Sequence, residues 1–410
     1  MKKSLCILFL LLATMLSAQD MSVTERNAAQ GFNDTIDRLA EDFVEVGLIV
    51  AEPGEILYSA FGHAMLHLRC PSFNLDYVFS YESEPIKDNW GRFLRGDLKM
   101  GMFAIPIDTM LEPYLKEGRG VVEYPLHLSP TQEQDLWRIM DDLAAIGADQ
   151  PYDYFNHGCA ISVVHVVRKA IGQQKIQYGS WPDKFDGTMR ELGYECVTQS
   201  GHIWNRFALM TLAGSDIDNP RIAKEKKLII PTDLANVWQH ATLNGKPLLG
   251  SESRVLVPST IVVRRPWLTP LLVACLLLLL SFFSFAILWG RRKSWHVAGE
   301  VIDYLLLAII TFIGVVVMYT VLFSSLPCTD WNWLIIPFNI LPAIGWYWRK
   351  YWALPYAGMI AVWCMAMLCA PHRLVDWSHI ILALAFAVVL IKQYLICRKV
   401  SFFVPLRCKI

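Results

Sequence analysis

The sequence has no excess of charge of either sign, because its 37 basic residues are balanced by 37 acidic ones. Domains that bind nucleic acid carry Lys and Arg clustered on one face, often with aromatic residues between them. No basic stripe of this kind runs through the soluble-looking part of the sequence. We therefore expect no nucleic-acid partner.

Motifs of several large enzyme classes are also missing. The sequence contains no His-Glu-x-x-His, no Cys-x-x-Cys, no Walker phosphate loop and no Gly-x-Ser-x-Gly. These motifs bind zinc, cradle phosphate or expose a nucleophilic serine. Their absence argues against a zinc peptidase, a nucleotide-dependent enzyme and a serine hydrolase, and we expect neither a metal nor another cofactor.

Apolar residues make up 54% of the chain and are concentrated at its two ends. Lys2 and Lys3 precede an apolar run that ends at Leu16-Ser17-Ala18, the pattern of a cleaved signal peptide over residues 1–18. An uncleaved anchor is the alternative, but the run is short for a membrane span. Residues 19–266 read as a soluble domain, which we expect to be a periplasmic catalytic domain.

The C-terminal part, residues 267–410, predicts an all-α transmembrane bundle of about five helices. Its apolar segments cover residues 268–289, 301–323, 333–348, 352–370 and 378–397. The third segment is short, and could be tilted, re-entrant or wrongly bounded. Basic clusters recur on one side of the segments, after 289, after 348 and after 397. The positive-inside rule then places the soluble domain outside the cytoplasm, in a multi-pass protein of the bacterial inner membrane.

Four ionisable residues lie at or just beyond the predicted periplasmic ends of these segments: Asp330, His372, Asp376 and His379. Such residues commonly contact water and lipid headgroups at the membrane surface. A specific role in holding a lipid headgroup is the alternative interpretation.

The soluble part combines strand and helix patterns. Strand-like runs cover residues 43–50, 57–68 and 75–81, and the last two are predicted to form an antiparallel hairpin around the turn at 71–74. Helical patterns follow at 131–146 and 160–171. The expected fold is α+β.

Cys159 is the strongest candidate nucleophile, because it follows Gly158 and opens a predicted helix. Unpaired N–H groups and the helix dipole favour a thiolate at that position, and the Cys159 N–H is a candidate oxyanion donor. A small buried structural residue is the alternative. The other cysteines expected outside the cytoplasm could be bridged or free: Cys70, Cys196 and Cys328.

A thiol nucleophile needs a base, and His63 is the best candidate because it lies on a predicted strand between small residues. His67 shares its strand face and ranks second, while His157 and His165 fit loop and helix positions. The next strand could supply a group to orient the His63 ring. Its candidates are Ser80, Tyr81 and Glu82, of which we name Tyr81, although a register slip of one residue would move every side chain to the other face.

A His on a strand followed by a Cys at a helix start resembles the circularly permuted papain-like superfamily, which includes NlpC/P60 and lecithin:retinol acyltransferase enzymes. The resemblance implies a small antiparallel sheet packed on the Cys-bearing helix. A closer resemblance is to the Lnb family, the lipoprotein N-acyltransferases of Bacteroides. It is carried by Tyr58-Ser59-Ala60-Phe61-Gly62-His63-Ala64, by Arg119-Gly120-Val121-Val122 and by Tyr152-Asp153-Tyr154-Phe155-Asn156-His157-Gly158-Cys159-Ala160.

The Lnb resemblance implies an acyltransferase that works through a thioester on Cys159. Its acyl donor would be a phospholipid, and its acceptor the N-terminal amine of a diacylglyceryl-cysteine lipoprotein. Two other functions stay open from the residues alone. One is a membrane-anchored cysteine peptidase or amidase of the cell envelope, and the other is a non-catalytic periplasmic binding or assembly protein.

Overall fold

The computed structural model describes residues 44–56, 59–147, 150–287 and 293–403, so the predicted signal peptide lies outside the described residues. The strands are β1 (Glu45–Ala51), β2 (His63–Cys70), β3 (Leu75–Ser83), β4 (Lys99–Pro106), β5 (Val121–Pro125), β6 (Gln150–Pro151), β7 (Ile176–Gln177), β8 (Thr242–Leu243), β9 (Lys246–Pro247) and β10 (Arg254–Val257). The helices before the membrane region are α1 (Trp90–Arg95), α2 (Ile107–Glu117), α3 (Pro130–Ile146), α4 (Tyr154–His157), α5 (Cys159–Ala170), α6 (Met189–Gln199), α7 (Ile203–Leu212) and α8 (Pro231–Gln239).

An antiparallel sheet organises this first domain, with the strand order β10-β5-β1-β2-β3-β4-β6. The predicted hairpin is present as β2 and β3, and its register pairs Met65 with Ser80. A short turn at Pro71–Phe73 joins the two strands and ends at Asn74, which adopts the left-handed conformation that Asn tolerates. The register of this hairpin decides which β3 side chains face the start of β2.

Helices cover the two faces of the sheet because side chains alternate along each strand. The even-numbered residues Ala64, Leu66 and Leu68 of β2 belong to the main core together with the buried residues of α5. Met65 faces the other way and packs in a smaller core with residues of α2. The predicted α+β fold with a sheet on the Cys-bearing helix is confirmed, and the sheet, with seven strands in the described part of the chain, is larger than expected.

Strand β2 begins at His63, later than the predicted run of 57–68. Gly62 has a φ of +85°, and a Cβ there would lie 2.6 Å from the carbonyl oxygen of Ala51. Its N–H donates to the Ser59 carbonyl and closes a turn. Only glycine adopts this conformation beside a neighbouring backbone without strain. His63 is therefore the first residue of its strand, at the edge of the core rather than within it.

The C-terminal region is helical, as predicted. Its helices are α9 (Pro270–Ala286), α10 (Lys293–Phe323), α11 (Leu341–Ile344), α12 (Arg349–Cys369) and α13 (Trp377–Phe403). Three stretches within the described residues are long and apolar enough to cross a membrane, namely Ser294–Phe323, Trp346–Cys369 and Trp377–Arg398. Helix α9 is apolar and has 17 residues, about 25 Å at 1.5 Å per residue.

The predicted third span, 333–348, is wrong as a continuous helix. The segment contains a 3-10 turn at Trp333–Ile335, the single turn α11 and another 3-10 turn at Trp346–Trp348. Pro337 and Pro342 interrupt it, since proline lacks the N–H that a helix needs. The Asn339 amide donates to the carbonyls of Ile335 and Ile336, which satisfies backbone oxygens that the break leaves open.

The membrane region contacts the first domain mainly through α7. Arg206 forms an ion pair with Asp376 at 2.9 Å, and Thr211 hydrogen-bonds His379 at 2.8 Å. His372 contacts Glu191 of α6 at 3.2 Å. These three residues of the membrane region, which the sequence placed at the membrane surface, therefore bind the first domain.

A buried ion pair lies among the membrane helices. Lys392 of α13 contacts Asp303 of α10 at 2.8 Å and Ser284 of α9 at 2.6 Å, while Gln393 donates to the same Asp303 carboxylate. Both charged side chains are almost fully buried. Charges inside a membrane bundle are tolerated where they pair with each other. This cluster joins three helices.

We expect Lys392→Met to destabilise the protein by roughly 3–5 kcal/mol, because it leaves the Asp303 carboxylate buried without a counter-charge. The double variant Lys392→Met/Asp303→Leu should recover most of that loss, since no unpaired charge remains. Thermal unfolding of the purified protein in detergent measures both. A single variant that unfolds at the wild-type temperature would contradict this role.

Candidate active site

Cys159 is the first residue of α5, and a tight backbone turn fixes its position. The Asp153 carboxylate caps the preceding helix α4 by accepting from the N–H groups of Phe155 and Asn156. A Cβ on Gly158 would lie 2.5 Å from the Tyr154 carbonyl oxygen. Gly158 is thus required by the close approach of the backbone. The Cys159 side chain stays partly exposed.

The structure brings Cys159 and His63 into contact. The thiol of Cys159 and the ring of His63 line the same small cavity and interact electrostatically, and the backbone N–H of Ala64 also favours the thiolate. The start of helix α5, which packs on one face of the sheet, thus lies next to the start of strand β2. Both residues were predicted as the candidate pair.

This contact favours a thiolate and an imidazolium. Burial disfavours both charges, but the thiolate of Cys159 and the carboxylate of Glu82 outweigh it and hold the pKa of His63 well above its usual value. Burial likewise opposes ionisation of the thiol, yet the charge and hydrogen bond of His63 lower the pKa of Cys159. Each group therefore stabilises the charged form of the other.

Two β3 side chains hold the far side of the His63 ring. Nε2 of His63 lies 2.7 Å from Ser80 Oγ, and that hydroxyl donates to Glu82 Oε1 at 2.6 Å. Glu82 Oε1 is also 3.4 Å from Nε2. Because the Ser80 hydroxyl donates to Glu82, its oxygen is free to accept the Nε2–H of His63.

Tyr81, named from the sequence as the orienting residue, does not occupy that place. Ser80 and Glu82 are two residues apart and share the strand face that reaches His63, while Tyr81 alternates to the other face. Tyr81 is buried in the main core, and burial raises its pKa to about 12. The hairpin register, which the sequence left open, decides between these neighbours.

The other candidate residues lie away from the pair. His67 is buried and bonds the carboxylates of Glu123 at 2.5 Å and Asp76 at 2.6 Å. His157 and His165 are exposed. Cys70, Cys196 and Cys328 are free thiols. Burial raises the pKa of Cys196 and of Cys328 to about 12, the opposite of the effect at Cys159.

A small cavity of about 90 Å³ opens beside the Cys159 sulfur and the His63 ring. Aromatic residues line much of it: Tyr81, Tyr114, Tyr152 and Tyr154. This volume admits a few heavy atoms, such as a carbonyl group and its neighbours. Among the described residues, no group of three or more His, Cys, Asp or Glu side chains could hold a metal ion.

Fold and site together define a membrane-anchored α+β protein with a Cys–His pair at one end of the central strand of its sheet. The family model of the Lnb N-terminal periplasmic domain matches residues 34–187, and that of the Lnb transmembrane domain matches residues 263–407. The chain belongs to the Lnb family, and the resemblance given by its motifs is confirmed. It is a membrane protein with a periplasmic domain. Comparisons with curated proteins and with solved structures found no match.

We expect Cys159 to react with iodoacetamide at pH 7 faster than Cys196 or Cys328, because the pKa of Cys159 is lowered whereas the pKa values of the other two are raised. His63→Ala removes the positive charge that favours the thiolate, so the pKa of Cys159 should rise. A rise of one unit lowers the thiolate fraction by about tenfold. Peptide mass spectrometry over time measures each cysteine in one sample. A Cys159 that reacts no faster than Cys328 would disprove the charge pair.

Proposed function

We propose that this Lnb-family protein is a cysteine-dependent acyltransferase of the bacterial inner membrane, with its catalytic domain in the periplasm. It moves an acyl chain from a phospholipid to the N-terminal amine of a diacylglyceryl-cysteine lipoprotein. The pairing of Cys159 with His63 in one cavity, where each favours the charged form of the other, is the observation that carries this proposal. Family membership supports the class of substrate.

In the first half of the reaction, the Cys159 thiolate attacks an ester carbonyl of the phospholipid. A carbon–sulfur bond forms, the ester carbon–oxygen bond breaks, and the imidazolium of His63 gives its proton to the departing lysophospholipid oxygen. The product is a thioester on Cys159 beside a neutral imidazole. Ser80 and Glu82 keep the ring oriented through Nε2.

In the second half, the neutral α-amine of the lipoprotein attacks the thioester. A carbon–nitrogen bond forms, the carbon–sulfur bond breaks, and His63 takes a proton from the amine. This restores the thiolate and the imidazolium. A thioester suits this step, because sulfur leaves readily and an amine competes well against water. Both substrates carry acyl chains, which the membrane region keeps at the level of the bilayer.

Two features weigh against the other functions that the sequence left open. A peptidase or amidase of the cell wall needs one membrane anchor at most, whereas this chain has several long apolar helices that contact the catalytic domain. A non-catalytic domain needs no ionised thiol, and burial would raise the pKa of a structural cysteine as it does at Cys196. The pKa of Cys159 is instead lowered.

We expect Cys159→Ala to abolish N-acylation and His63→Ala to reduce it by roughly 10²–10⁴-fold, because general acid–base catalysis contributes that range. Mass spectrometry of the N-terminal peptide of a lipoprotein, from cells carrying each variant, measures the loss of one acyl chain. His157→Ala, an exposed histidine near the site, is the matched control. N-acylation at the wild-type level by Cys159→Ala would exclude the thioester mechanism.

We also expect Glu82→Gln to shift the pH profile of acyl transfer toward acid. Glu82 raises the pKa of His63 and opposes the thiolate of Cys159, so its neutralisation lowers both pKa values. The high-pH limb, where the imidazolium is lost, and the low-pH limb, where the thiolate is protonated, should both move to lower pH. Glu84→Gln is the control, because Glu84 pairs with Arg92 instead. An unshifted profile would show that Glu82 does not act on the pair.

A further inference from the structure

An apolar groove adjoins the active site. Its volume is about 390 Å³, within the range of about 300–1,000 Å³ typical of sites for small ligands. Tyr152 and Tyr154 line both this groove and the small cavity at Cys159. Phe61, which precedes Gly62 and His63, packs against Tyr154 with ring centroids 4.2 Å apart and a tilt of 38°, and it also lines the groove. The groove and the site of chemistry are therefore neighbours that share the Tyr152 and Tyr154 side chains as a common wall.

The groove lies where the two domains meet. Helices α1 and α7 form its walls in the first domain, and Thr320 of α10 lines it from the membrane region. Leu326 and Thr329 come from the loop that follows α10. Ser325 of the same loop donates hydrogen bonds to the carbonyls at the end of α1, which fixes that helix over the end of α10. One side of the groove thus lies at the end of a membrane helix.

No charged side chain lines the groove within the described residues. The Trp90 and Phe93 rings of α1 pack edge to face along it, and Leu212 of α7 also lines it. Burial raises the pKa of the Tyr152 and Tyr154 phenols, so these rings are neutral at physiological pH. Such a lining fits a hydrocarbon chain and rejects a peptide, whose amide groups would lose their hydrogen bonds to water.

We infer that this groove holds the acyl chain of the Cys159 thioester, an assignment that rests on the acyl transfer proposed above. The cavity at the sulfur is only about 90 Å³, so it accepts the carbonyl but not a long chain. A chain bonded to that carbonyl must leave the cavity, and the groove on the other side of the shared tyrosines is the adjoining apolar space. The acyl chains of the lipoprotein acceptor are attached to its glyceryl group and not to the carbonyl that is bonded to Cys159. The occupant of the groove is therefore the acyl chain that comes from the phospholipid donor.

The groove aligns the donor rather than adding much hydrophobic free energy. A lipid chain that leaves the bilayer for the groove exchanges one apolar environment for another. What the groove adds is orientation, since a held chain keeps the ester carbonyl beside the thiolate and keeps the thioester in place for the amine. Filling the groove should therefore reduce the reaction of long chains far more than that of short ones.

Ala208 gives a direct test, because it lines the groove and its side chain is exposed, so a larger residue there can be accommodated without disturbing the core. The experiment uses the full chain in detergent with dipalmitoyl or dihexanoyl phosphatidylethanolamine and no acceptor. Intact-protein mass spectrometry measures the palmitoyl and hexanoyl adducts on Cys159. Ala145→Trp, an exposed alanine on α3 away from the groove, is the matched control.

We expect Ala208→Trp to lower the ratio of palmitoyl to hexanoyl adduct by about tenfold or more, in the range by which an apolar pocket discriminates chain size. Ala145→Trp should keep the wild-type ratio. An Ala208→Trp protein with an unchanged ratio, whether both adducts persist or both fall together, overturns the assignment. A wild-type protein that forms neither adduct contradicts the acyl-enzyme itself.

A second measurement does not depend on catalysis. Cys159→Ala protein is irradiated with a phosphatidylethanolamine that carries a diazirine at the end of one acyl chain. We expect crosslinks on the peptides of α1 and α7, and several-fold fewer after Ala208→Trp is added. Crosslinks confined to the outer faces of the membrane helices would overturn the groove assignment, even if the thioester forms.

Discussion

The charge pair between the sulfur of Cys159 and the ring of His63 is the interaction on which the proposed chemistry depends. Burial alone would keep both groups neutral, as the raised pKa values of Cys196 and Cys328 show for thiols without such a partner. Contact reverses that effect because each charge is the counter-ion of the other. The domain must therefore bring the start of α5 and the start of β2 close together.

Two glycines allow the start of β2 and the start of α5 to approach each other closely. Gly62 turns the chain immediately before His63, and Gly158 lets α4 approach the start of α5. At each position a Cβ would meet a backbone oxygen, which cannot move aside as a flexible side chain can. The reactive groups thus lie on regular elements, and the tight turns that precede them set their separation. This arrangement suits a site that must be formed before its substrates arrive.

Polar contacts also determine how the membrane region and the periplasmic domain fit together. The ion pair of Arg206 with Asp376 and the hydrogen bond of Thr211 with His379 attach α7 to the start of α13. Helix α7 also forms one wall of the apolar groove, so the same contacts that join the domains place that wall beside the membrane helices. Within the bundle, Lys392 and Asp303 link α9, α10 and α13 in the same manner.

Local patterns determined much of this structure. The turn residues at 71–74 predict the β2–β3 hairpin, and the sequence before Cys159 predicts a helix start, because each depends on neighbours in the chain. Apolar content likewise marks the membrane region. The side chains that contact the His63 ring depend instead on the register between β2 and β3. Because side chains alternate along β3, Ser80 and Glu82 contact the ring and Tyr81 does not. The break at Pro337 and Pro342 is a local effect of proline, whereas the groove beside α7 arises from packing between distant segments, so only the tertiary structure decided the groove.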